Sequence, residues 1–165
     1  MTVTELLQSA SVKIPLLAKD KDGVLAEMAD HLTLTHGLSG RRDDILASLR
    51  SRERLMSTGI GRGVAIPHAQ LDPPIPPVAA IGISRDGIDF GSADGKPVFV
   101  VFLLALGREA SAKRVEVLSA LSRIFRKESV RDEMKAAGSA EEVIAVLARE
   151  EEALRRTGHP GATVY

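Results

Sequence analysis

From Val98 to Leu106 the chain reads Val-Phe-Val-Val-Phe-Leu-Leu-Ala-Leu, with no polar side chain on either of the two alternating faces of a strand. A half-solvated strand cannot carry that pattern, whereas the central strand of a sheet covered on both sides can. The run is less than half the roughly 20 residues a membrane-spanning helix needs. It predicts a buried strand with helices packed on both faces of its sheet. At 165 residues the chain is long enough to bury roughly 70% of its unfolded surface, which suits one self-sufficient core.

The segments around this strand supply the cover. Thr2 and Glu5 fit a capping box for a short first helix, and Val12-Lys13-Ile14 fits a first strand. From Asp20 to His36 the residues Val24, Leu25, Met28 and Leu32 share a helical face, and Gly37 supplies the stop. Arg41 to Leu55 repeats the pattern with Ile45, Leu46 and Leu49. Prolines make residues 72–77 an extended surface loop. Val78 to Ser84 reads as a strand, with turns at Arg85-Asp86-Gly87 and Asp94-Gly95.

Three helices close the chain: Ser111 to Arg126 with Val115, Leu118, Leu121 and Phe125 inward, Ser129 to Ala137 capped by Ser129 and Asp132, and Ser139 to Arg156 capped by Ser139 and Glu142. The predicted fold is an α/β sandwich, a mixed sheet between helical layers, forming one domain over 1–156. Residues 157–165 carry no periodic apolar face and are expected to form a flexible tail.

Composition excludes several functions. Aromatic residues are 3% of the chain, and 22 basic residues balance 22 acidic ones without a basic block, so nucleic-acid binding is not expected. Without cysteine there are no disulfides, thiol nucleophiles or thiolate metal sites. The Met-Thr-Val-Thr-Glu start lacks a signal-peptide pattern, and no segment suits membrane insertion, so a cytoplasmic protein is expected. His31 and His36 stand five apart, off the i, i+4 spacing of a metal pair, and no metal or cofactor is expected.

The chemistry concentrates in Ser57-Thr58-Gly59-Ile60-Gly61-Arg62-Gly63-Val64-Ala65-Ile66-Pro67-His68. Alternate glycines leave backbone amides able to turn toward an anion, and equally make an ordinary turn. Val64 to Ile66 suits a brief strand that Pro67 stops, leaving His68 at its end. On pattern alone that histidine is also read as a capping or surface residue.

These residues, together with Arg52-Glu53 before them, resemble the phosphorylation-site signature of the fructose, mannitol and nitrogen-type enzyme IIA domains of the bacterial phosphotransferase system, and Asp94-Gly95-Lys96-Pro97-Val98 falls within the wider likeness. The resemblance runs over nearly the whole chain, ending near Arg156, and implies the mixed sheet of mannitol-type IIA domains. It implies that His68 accepts a phosphoryl group from HPr or a nitrogen-branch HPr-like donor, without metal or ATP. The acceptor would be regulated proteins, if the chain is a nitrogen-regulatory IIA, or a separate enzyme IIB, if it is a sugar-specific one.

The same resemblance places Arg52, sixteen positions before the histidine, on the phosphoryl oxygens, although it also reads as a solvated helix-end arginine. Thr58 and the amides of Gly59, Gly61 and Gly63 are the further candidate phosphate ligands; Thr58 is equally a turn residue. Where related domains often carry a second histidine this chain has Arg114, either a fixed cation near the phosphate or a helix-surface arginine.

Overall fold

Strand β6, Val98–Gly107, runs through the middle of a six-stranded sheet in the computed structural model, which describes residues 2–157. The other strands are β1 (Val12–Lys13), β2 (Gly59–Gly61), β3 (Val64–Ala65), β4 (His68–Leu71) and β5 (Val78–Ile88). Their order is β1-β5-β6-β3-β2, with β4 also on β6. Strand β5 pairs antiparallel with β6, while β3 and β4 run parallel to it, so the sheet is mixed.

The two apolar faces of β6 meet two separate cores. Val100, Phe102, Leu104 and Leu106 pack against α3 (Ser111–Ile124), α4 (Glu128–Ala136) and α5 (Ala140–Arg156). Val101, Leu103 and Ala105 pack against α1 (Lys21–Thr35) and α2 (Arg42–Leu55). This is the helix-covered mixed sheet that the sequence predicts. Asp20 caps α1 by accepting from the Gly23 N–H at 2.7 Å, and Ser139 caps α5 by accepting from Glu142 at 3.2 Å.

Several local expectations differ from the structure. Thr2 and Glu5 do make reciprocal bonds, but the element is a single 3-10 turn at Thr4–Leu6, held by the Glu151 carboxylate, which accepts from the Val3 and Thr4 amides at 2.6 and 2.8 Å. Arg85-Asp86-Gly87 is not the end of a strand. Strand β5 continues through it to Ile88 with a shift of register against β6. Helix α4 starts at Glu128, with Lys127 rather than Ser129 before it and no side-chain cap. Val115 is 55% exposed and Val117 takes the inward position, because α3 meets the sheet through Val117, Leu121 and Ile124. Of the expected tail, Thr157 closes α5, and residues 158–165, with His159, lie outside the described residues.

Candidate active site

Strands β3 and β4 lie on the same edge of β6, Val64 opposite Val100 and His68 opposite Leu104, and so form one strand interrupted at Ile66-Pro67. His68 therefore opens the second half rather than ending the first. The interruption has a chemical use. Pro67 supplies no N–H, and the Ile66 carbonyl, released from the ladder, accepts from the His68 ring at Nδ1, 3.0 Å away. A carbonyl can only accept, so Nδ1 carries the proton and Nε2 keeps its lone pair.

The imidazole is buried, with 9% of the residue exposed, and faces the α3 side of the sheet, as Leu104 opposite it does. Burial, above all, pushes its pKa below the ordinary 6.5. The bond to Ile66 acts against that shift, the cations of Arg52 and Arg114 add to it, and the Glu53 carboxylate opposes it. The ring is neutral at pH 7, with the lone pair of Nε2 free and the charges of two guanidinium groups acting on it.

The structure thus brings Arg52 and Arg114 to the histidine from opposite layers, one from the last turn of α2 and one from the first turns of α3. Arg52 is fixed by donating from Nη1 to the Met56 carbonyl at 2.7 Å, beyond the end of its helix. Helix α2 is itself tied to β4, since the Ser48 hydroxyl accepts from the Gln70 N–H at 3.0 Å and donates to the Gln70 carbonyl at 3.3 Å.

Thr58 sits beside the site, but its donors are engaged. Its hydroxyl donates to Glu53 Oε1 and its amide to the same oxygen at 3.1 Å, while its carbonyl accepts from the Ile66 N–H at 2.9 Å. Thr58 therefore anchors Ile66, whose carbonyl holds the imidazole. Glu53 stands next to Arg52 in the motif, and its sequence position alone assigns it no role. Its side chain is 6% exposed and paired with Lys21 at 2.8 Å, which fixes it between α1, Thr58 and the field of His68. A carboxylate directly after the expected arginine was the available signal.

The glycines do other work. Gly59 donates to Ser57 Oγ at 3.0 Å, and an added Cβ there would be driven into the Ser92 hydroxyl, so the position serves close packing. Gly61 and Gly63, with φ of 85° and 83°, bend the hairpin around Arg62, whose amide donates to Asp94 at 2.7 Å. This turn meets β6 at Phe99 and Val100, four positions before Leu104, roughly 13 Å along the strand from His68. The structure does not bring Gly61 or Gly63 to the imidazole. Among the described residues no group of His, Asp or Glu side chains has the arrangement of a metal site.

A family model described as phosphoenolpyruvate-dependent sugar phosphotransferase system, EIIA 2, matches residues 5–150. The chain is 37% identical over 147 residues to the fructose-specific EIIABC component of the PTS system of Bacillus subtilis (strain 168), a match covering 89% of this chain and 23% of that protein. It thus spans under a quarter of that relative. It is 32% identical over 149 residues to a nitrogen regulatory protein of Bradyrhizobium diazoefficiens, covering 90% of this chain and 95% of the relative. The crystal structure of nitrogen regulatory protein IIA-Ntr from Neisseria meningitidis superposes with a TM-score of 0.81 at 33% identity, over 88% of this chain and 98% of that one.

Proposed function

Because the chain belongs to the EIIA 2 family of the phosphoenolpyruvate-dependent sugar phosphotransferase system, we propose that it is a phosphoryl carrier that signals through its phosphorylation state, with His68 as acceptor. The observation that carries this reading is the tautomer: Nδ1–H is held by Ile66, and Nε2 is left as the lone-pair nitrogen of a buried, neutral ring that feels the charges of Arg52 and Arg114. The donor is an HPr-type phosphoprotein. Its P–N bond breaks as the Nε2–P bond forms, and the donor imidazole leaves with its electron pair.

The positive charge the His68 ring gains in this step is offset by the Ile66 carbonyl and by Glu53. Arg52 and Arg114 take the phosphoryl oxygens, and positioning plus charge stabilisation supply the rate. Thr58 and Gly59 support the site through Glu53, Ile66 and Ser57. One domain over 1–156 carries this activity, and its setting is the cytoplasm. No described helix is long and apolar enough to cross a membrane.

Incubation with a phosphorylated HPr-type donor tests the reading by intact mass. One phosphoryl group is expected, labile to acid and stable to alkali, and absent from His68→Ala. Persistent labelling of His68→Ala overturns it. The similarity to the fructose-specific component favours a second reading, a sugar-specific IIA that passes the group to a separate IIB. Rapid discharge onto a fructose-type IIB supports that route; retention with phosphorylation-dependent binding of other proteins supports the regulatory one.

A further inference from the structure

At the outer end of the β2–β3 hairpin, away from His68, four cations line a pocket of about 230 Å³: Arg62, Lys96, Arg131 and Lys135. Two of them are held side by side, because Arg62 Nη1 and Arg131 Nη1 donate to the same acceptor, the Arg126 carbonyl, at 3.4 and 2.8 Å. Among the described residues none of the four is ion-paired. The carboxylates of Glu128 and Asp132 on the same wall and the Phe99 ring under Lys135 offset part of the repulsion among these like charges, and an added anion relieves what remains.

Two further features aim at the same space. Arg62 takes a φ of 59°, a conformation that disfavours any side chain, at the centre of a turn whose neighbours Gly61 and Gly63 are glycine. The turn holds a guanidinium at the pocket at the expense of backbone ease. Helix α4 turns one face to the pocket, with Glu128, Arg131, Asp132 and Lys135 following one another along it at helical spacing.

The lining also limits the ligand. Glu128 and Asp132 share the pocket with the cations, which disfavours a bare anion and offers acceptors for hydroxyl groups. The volume is below the roughly 300–1,000 Å³ of pockets for drug-sized molecules. We propose that this pocket binds a small hydroxyl-bearing phosphomonoester, of the sugar-phosphate class, with Arg62 and Arg131 on the phosphate and Glu128 and Asp132 on the hydroxyls. The site is separate from the phosphoryl-acceptor histidine and does not depend on its assignment.

An NMR titration of the unphosphorylated full chain with glucose 6-phosphate, glucose and inorganic phosphate tests it. Glucose 6-phosphate is expected to give saturable shifts at the amides of Arg62, Gly63, Glu128 and Lys135, with a dissociation constant on the order of 1 mM or below. Inorganic phosphate should bind at least tenfold more weakly and glucose not at all. Arg62→Gln should weaken glucose 6-phosphate at least tenfold, while Lys19→Gln, an exposed lysine paired with Asp86, leaves it unchanged. The absence of saturable shifts, equal binding of inorganic phosphate, or affinity unmoved by Arg62→Gln overturns the proposal.

Discussion

The neighbours of His68 bias its ring in opposite directions, and that opposition can be measured one residue at a time. Arg114 lowers the histidine pKa, so Arg114→His should raise it toward 6.5 and add a second group titrating near neutrality. Glu53 raises it, so Glu53→Gln should move it further down while freeing Thr58 and slowing phosphorylation. Histidine titrations by NMR distinguish the two, and shifts of the same sign in both variants would contradict the assignment. Arg52→Ala should slow phosphorylation by one to three powers of ten, the upper part of that range matching the roughly 2.7–4 kcal/mol of a lost transition-state donor. Lysine should rescue it only in part, because it keeps the charge and loses the two-pronged geometry. Transfer rates measured against a phosphorylated donor check this, and a wild-type rate for Arg52→Ala would leave that side chain as no more than a cap on α2.

At the scale of elements, the β2–β3 hairpin depends on a contact that no local pattern announces. A methyl group at Gly59 meets the buried Ser92 hydroxyl, which has no hydrogen-bond partner among the described residues. Gly59→Ala is expected to destabilise the fold by about 1–3 kcal/mol, as overpacking does, and Ser92→Ala alone to be neutral or stabilising. The double variant should recover part of the loss; strict additivity in urea unfolding would show that the two positions do not press on each other. Ser92 lies far from Gly59 in the chain, which is why the glycine reads as a turn or anion loop in the sequence. Legible were the features set by short-range periodicity and capping: the two apolar faces of β6, the inward residues of α1 and α2, and the Ser139 cap. Not legible were those set by pairing. The parallel ladder on β6 makes His68 the start of a strand, β5 continues past Arg85 because β6 is there to pair with it, and the sheet meets α3 at Val117 instead of Val115. The arginine and histidine could be picked out from their motif, but the Ile66 carbonyl that sets the tautomer required the fold.

At the scale of the molecule, the burial of His31 and His68 couples folding to pH. Burial lowers the pKa of His68, and burial, chiefly, lowers that of His31 as well. As pH falls through 6.5 the unfolded chain takes up protons that the folded chain refuses, so stability is full above about 6.5 and declines toward the depressed folded values. The urea midpoint should be lower at pH 5.5 than at pH 7.5, with His68→Gln removing part of the difference; a midpoint unchanged between these two values would contradict the burial of neutral rings. If His68 is the acceptor as proposed, the same depressed pKa should let phosphoryl acceptance continue below pH 6.5 and then fail as the ring protonates. The central claim is that one nitrogen of one residue carries the phosphoryl group, and NMR of the phosphorylated protein with ¹⁵N-labelled histidine addresses it directly. The account predicts one-bond phosphorus–nitrogen coupling at Nε2 of His68 with Nδ1 still protonated. Coupling at Nδ1, or phosphorus bound to the oxygen of Ser57 or Thr58, would contradict it.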